Sequence, residues 1–124
     1  MEISWFNEKP KDCIVTIYSG NLTLNKMATT YFENAYSVML GIQKDEKMIV
    51  IKPLLKAEAQ SHAIPDNKKY RITVRSSYSR VTNKAFVDEI AELFAIDITT
   101  NPKKFVANWH SKEQILTVNL KEEL

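Results

Sequence analysis

The 124 residues predict an α+β, mostly antiparallel domain built from two β-α-β-β repeats, with two short helices and a β-barrel-like sheet. Three observations predict it. Short segments recur in the same order: Val15-Thr16-Ile17 returns as Ile72-Thr73-Val74, 57 positions later, and Thr23–Met27 as Val81–Ala85, 58 later. Asp45–Ile51 returns as Lys112–Val118, 67 later, so about nine extra residues sit around Ile96–Pro102. In both halves a β-branched run precedes an apolar helical stripe and then a hairpin pattern. Finally, nothing resembles the βαβ alternation of a parallel sheet. The length suits one domain over 1–124, with repeat one at 13–54, a linker at 55–68 and repeat two at 69–120.

The first strand is expected over Cys13–Tyr18, followed by the turn residues Ser19-Gly20-Asn21 and the extended Leu22-Thr23-Leu24. Asn25 is a good N-cap, and Met27, Ala28, Tyr31, Phe32 and Ala35 follow at helical spacing. A hairpin is expected from Val38–Ile42 and Met48–Ile51, with Pro53 ending it. In the second half Tyr70, Ile72 and Val74 alternate with Arg71, Thr73 and Arg75, a half-buried strand with a cationic outer face. Asn83 caps a helix whose stripe is Phe86, Ile90, Leu93 and Phe94, with Asp88, Glu89 and Glu92 opposite. Both helices should run about 10 to 13 residues. Phe105–Trp109 and Gln114–Leu120 form the last hairpin, turning at His110-Ser111-Lys112. Trp109 is expected in the core. Trp5-Phe6 have no counterpart in the second half and either cover an open barrel end or anchor a protein partner.

Composition excludes several classes. No apolar run approaches the roughly 18 residues of a membrane span, so no membrane partner is expected. Two Gly exclude phosphate-cradling loops of the usual kinds. The first six residues do not read as a signal peptide, and one Cys fits a reducing, cytoplasmic setting. Cys13, His62 and His110 have no ligand-like spacing, so no metal and no cofactor are expected. Asp45-Glu46, Asp88-Glu89 and Glu122-Glu123 read as a turn, a solvated helix face and a tail, so no catalytic residue is expected.

Gly20-Asn21-Leu22-Thr23-Leu24-Asn25-Lys26 resembles the core of the AbrB-type swapped-hairpin family, which reads Gly-Arg-aliphatic-Thr-aliphatic-Pro-Lys between a strand and a short helix. The resemblance covers Cys13–Pro53 and, more weakly, Lys69–Leu120. Two copies in one chain are similar to the tandem MraZ arrangement. The resemblance implies that the repeats interlock hairpins into one pseudo-twofold barrel and that a basic surface near the first strands binds DNA. Asn21 stands where the family has Arg, Asn25 where it has Pro, and the family's turn acid is missing from both halves.

Charge is local rather than global. The net +2 averages an electroneutral stretch over 1–60 with Lys68–Lys84, which carries +6 in 17 residues and no acid. Lys68, Lys69, Arg71, Arg75, Arg80 and Lys84 supply that charge, and Ser76, Ser77 and Tyr78 add hydroxyl groups. Such mixtures contact phosphates, and the plainer alternative is a solvated strand face. Lys26 follows the first N-cap as Lys84 follows the second. The expectation is a non-catalytic DNA-binding protein, a transcriptional regulator that forms a homodimer. The alternative is an antitoxin-like or mobile-element-associated protein-interaction module.

Overall fold

The computed structural model describes residues 1–6 and 12–124. Its strands are β1 (Cys13–Ile17), β2 (Asn21–Leu24), β3 (Ser37–Gln43), β4 (Met48–Leu54), β5 (Thr73–Val74), β6 (Ser79–Thr82), β7 (Lys103–His110) and β8 (Ile115–Glu123). They form one antiparallel sheet in the order β3-β4-β8-β7-β1-β2-β6-β5. The sheet curls into a half-barrel. Its two ends approach at an isolated bridge between Val38 on β3 and Tyr70, just ahead of β5, where each backbone N–H donates to the other's carbonyl at 2.8 Å. No helix among the described residues is long and apolar enough to cross a membrane.

The period-2 pattern sets the inner face. Val15, Ile17, Leu22, Leu24, Ile49, Ile51, Val81, Leu116 and Val118 are buried and belong to one core with Phe105, Ala107 and Leu120. Helix α1 (Lys26–Thr29), α2 (Lys56–Ala59) and α3 (Lys84–Leu93) lie outside the ladder. Asn25 caps α1 by accepting from Ala28 N–H at 3.0 Å, and Asn83 caps α3 by accepting from Phe86 N–H at 3.0 Å. Phe86, Val87 and Ile90 are the buried face of α3.

Several expectations need correction. The first-half helix is not ten residues long: α1 has four, followed by a 3-10 turn over Thr30–Phe32. The run Thr29-Thr30-Tyr31-Phe32 holds poor helix formers. Thr30 Oγ1 also donates back to Met27 O at 2.6 Å, a local bond that competes with helix continuation. Arg71 and Arg75 do not lie within a long strand, because β5 is only Thr73–Val74. The linker is not featureless, since it holds α2 and a 3-10 turn over Asp66–Lys68. Glu58 Oε1 accepts from Leu55 N–H at 3.1 Å and steadies the start of α2.

Pro53 lies inside β4 rather than beyond it. It stands opposite Val38, whose N–H and C=O are both engaged by Tyr70, so the missing proline N–H leaves no bond unmade there. Trp5 and Phe6 do not cover a barrel end among the described residues, being 81% and 92% exposed. Instead Tyr31 stacks on Trp109 at 4.6 Å and buried Phe32 meets the same indole edge-on at 6.1 Å, so the 3-10 turn shields that part of the core.

Candidate nucleic-acid interface

The ladder register assembles a surface that no single segment contains. In β6, Ser79 and Val81 point inward while Arg80 and Thr82 face solvent. Arg80 pairs with Thr23 on β2 and with Thr73 on β5. Thr23 in turn pairs with Thr16 on β1, and Thr16 with Lys104 on β7. Cross-strand partners share a face, so Lys104, Thr16, Thr23, Arg80 and Thr73 form one row on the outside of the sheet. Five strands at about 4.8 Å spacing make the row roughly 19 Å long. Lys104 and Arg80 are exposed, Thr23 and Thr73 half-buried, and Thr16 is covered by its neighbours.

Arg75–Tyr78 form a tight turn at the edge of that row. Arg75 N–H donates to Tyr78 O at 2.8 Å, leaving Ser76 and Ser77 exposed at the tip. The Arg80 guanidinium lies 5.3 Å from the Tyr78 ring centroid, which restrains its direction by cation–π attraction. The first hairpin closes alike: Tyr18 N–H donates to Asn21 O at 2.9 Å around Ser19-Gly20.

The predicted cations fall into two groups. Arg71, Arg75, Arg80, Lys68 and Lys26 are exposed and take part in no ion pair among the described residues. Lys69 and Lys84 are engaged instead. Lys84 Nζ lies 2.6 Å from Asp88 Oδ2, one helical turn on. Lys69 Nζ donates to Asp66 Oδ1 at 3.3 Å and to Ser61 O at 3.2 Å. The stretch free of acids in sequence therefore meets acids in space at both ends.

Lys26 stands at the end of β2 near Ser79, because Thr29 Oγ1 and Ser79 Oγ are 2.9 Å apart. Lys84 sits at the far end of the β2–β6 pair, where Asn83 N–H donates to Gly20 O at 3.1 Å. Sequence reasoning missed Lys104. Its alternation with buried Phe105 marks it as outward-facing, but only the β1–β7 pairing puts it beside Thr16.

The remaining candidate side chains sit apart. Cys13 is buried on β1, and burial together with the nearby Asp12 charge raises its thiol pKa above the ordinary value. His62 lies in the linker, and His110 Nε2 is 2.9 Å from Thr117 Oγ1 at the end of β7. Comparison of the chain with protein-family models, with curated proteins and with solved structures gives no match.

Proposed function

We propose that the protein is a non-catalytic DNA-binding protein, a transcriptional regulator working in the cytoplasm, which holds the phosphate backbone on the outer face of β1, β2, β5, β6 and β7. The carrying observation is the row from Lys104 to Thr73, with the half-buried Thr23 between two cations and the Arg75–Tyr78 turn beside it. Lys and Arg neutralise phosphates, and hydroxyl groups accept or donate the short bonds that set register. Arg71, Arg75, Arg80, Lys104, Lys68 and Lys26 are the contacts. A homodimer doubles this face.

The finer fold reading is two interlocked repeats related by a pseudo-twofold axis. The pairing of equivalent strands supports it. Val50 and Thr117, 67 positions apart, face each other across β4 and β8. Lys47 and Gln114 hold the same spacing and end their turns with φ of 53° and 56°. The two-residue loops Ser19-Gly20 and Ser76-Ser77 are 57 apart.

Fluorescence anisotropy with a duplex oligonucleotide, repeated across salt concentrations, tests the function. Binding should weaken steeply with salt, and the double variant Arg71→Ala/Arg75→Ala should reduce the logarithmic slope by about 2. Absence of salt-sensitive binding at low ionic strength sinks the reading. The second reading, a protein-interaction module, rests on Trp5 and Phe6, which stand in solvent with Met1 and Ile3. Under it, Trp5→Ser/Phe6→Ser abolishes partner capture, whereas DNA binding is untouched by the same change.

A further inference from the structure

A cleft of about 620 Å³ lies between the linker and the start of β3, with Tyr36, Ser37, Ser61, His62, Asp66 and Lys69 among its walls. Two of these side chains have unmet bonding capacity. Ser37 is 8% exposed, and its buried Oγ has no hydrogen-bond partner among the described residues. A buried hydroxyl without a partner is uncommon and calls for an explanation. The Lys69 side chain is 11% exposed, yet among the described residues its ammonium makes only two bonds, both above 3.1 Å, which leaves a third N–H to give. Its carboxylate partner Asp66 stands fully in water, so that ion pair is a weak competitor for a ligand.

The register explains why the two belong together. Val38 and Tyr70 are directly opposed in an antiparallel bridge. Ser37 and Lys69 are therefore diagonal neighbours on one face, about 7–8 Å apart, a span that one small anion bridges. We propose that this cleft binds a small anion, its carboxylate or phosphate oxygens held by Lys69 and by the Ser37 hydroxyl after a rotamer change. Its occupancy clamps both sides of the Val38–Tyr70 bridge between the two ends of the sheet. The chain runs from that bridge straight into Arg71, Thr73 and Arg75. The anion thus fixes the strand that carries the basic face, and the coupling to DNA rests on the function proposed above.

Isothermal titration with inorganic phosphate and, separately, succinate, at matched ionic strength, tests the site without nucleic acid present. Saturable binding is expected for one of them, and which one identifies the source of the oxygens. Ser37→Ala should weaken it about tenfold or more, and Lys69→Met at least as much. Ser37→Ala should melt no lower than the parent protein, since it removes an unpaired hydroxyl, so it decides the matter even if Lys69→Met fails to fold. Lys56→Met, at an exposed lysine outside the cleft lining, should bind as the parent does. Amide shifts on titration should concentrate at Tyr36–Val38 and Lys69–Thr73. Failure of both anions to bind overturns the proposal, as does unchanged affinity in Ser37→Ala or amide shifts spread elsewhere. None of these outcomes touches the test for duplex DNA, so the two ideas fail separately.

Discussion

Asn25 shows how much one side chain organises in this fold. Its Oδ1 accepts from Ala28 N–H and from Ile14 N–H at 3.1 Å, while its Nδ2 donates to Asp12 O at 2.8 Å. Capping was legible in the sequence because Asn before an apolar helical stripe satisfies orphan N–H groups. The ties to β1 were not, because they need strand pairing. Cys13 is a second case. As a small apolar residue on a strand it reads as buried, and it is. Its folded pKa lies above the unfolded value. The neutral thiol therefore supports the fold fully below the unfolded pKa, and that support is lost as pH rises through the folded one. Urea unfolding should show stability falling above about pH 9. That part of the fall should vanish in Cys13→Ala; a fall of equal size in both proteins refutes the assignment. The cation row has the same division. Arg80 was visible as a charge in an acid-free stretch, whereas Lys104, 24 positions away, was not.

At the scale of elements, α3 was predictable in length and α1 was not. The stripe of α3 buries Phe86, Val87 and Ile90, and nothing within it opposes the helix. Its end is a Schellman motif. Ile96 N–H donates to Ala91 O at 2.9 Å and Ala95 N–H to Glu92 O at 3.4 Å, with Ala95 in the left-handed region at φ 54°. An L side chain is disfavoured there, so Ala95→Gly should stabilise by roughly 0.5–1 kcal/mol after its cost in the unfolded chain. Thermal melting should rise by about 2–5 °C, and an unchanged or lower midpoint refutes the argument. Hairpin positions were legible because turn residues interrupt alternating runs. Strand ends were not: β5 shrank to two residues because Tyr70 is drawn to Val38 instead of extending the ladder with β6.

For the whole molecule the decisive fact is which strands are neighbours. Apart from the hairpins, the main ladders β1–β7, β2–β6 and β4–β8 each join a strand from 13–54 to one from 69–120. A unit of roughly 60 residues split off at the linker would expose the inner faces of all its strands. Chains of residues 1–60 and 61–124 expressed separately should therefore lack dispersed amide NMR spectra, and mixing them should restore dispersion. A dispersed spectrum from either one alone refutes mutual dependence. The sequence by itself determined the order of most strands, their inner and outer faces for the most part, helix α3 and the caps at Asn25 and Asn83. Those follow from periodicity and local hydrogen bonding, which act over a few residues. Only the tertiary structure decided the sheet order, the Val38–Tyr70 junction, the ion pairs at Lys69 and Lys84, and the row from Lys104 to Thr73. These depend on contacts between residues far apart in the chain, which local pattern does not encode.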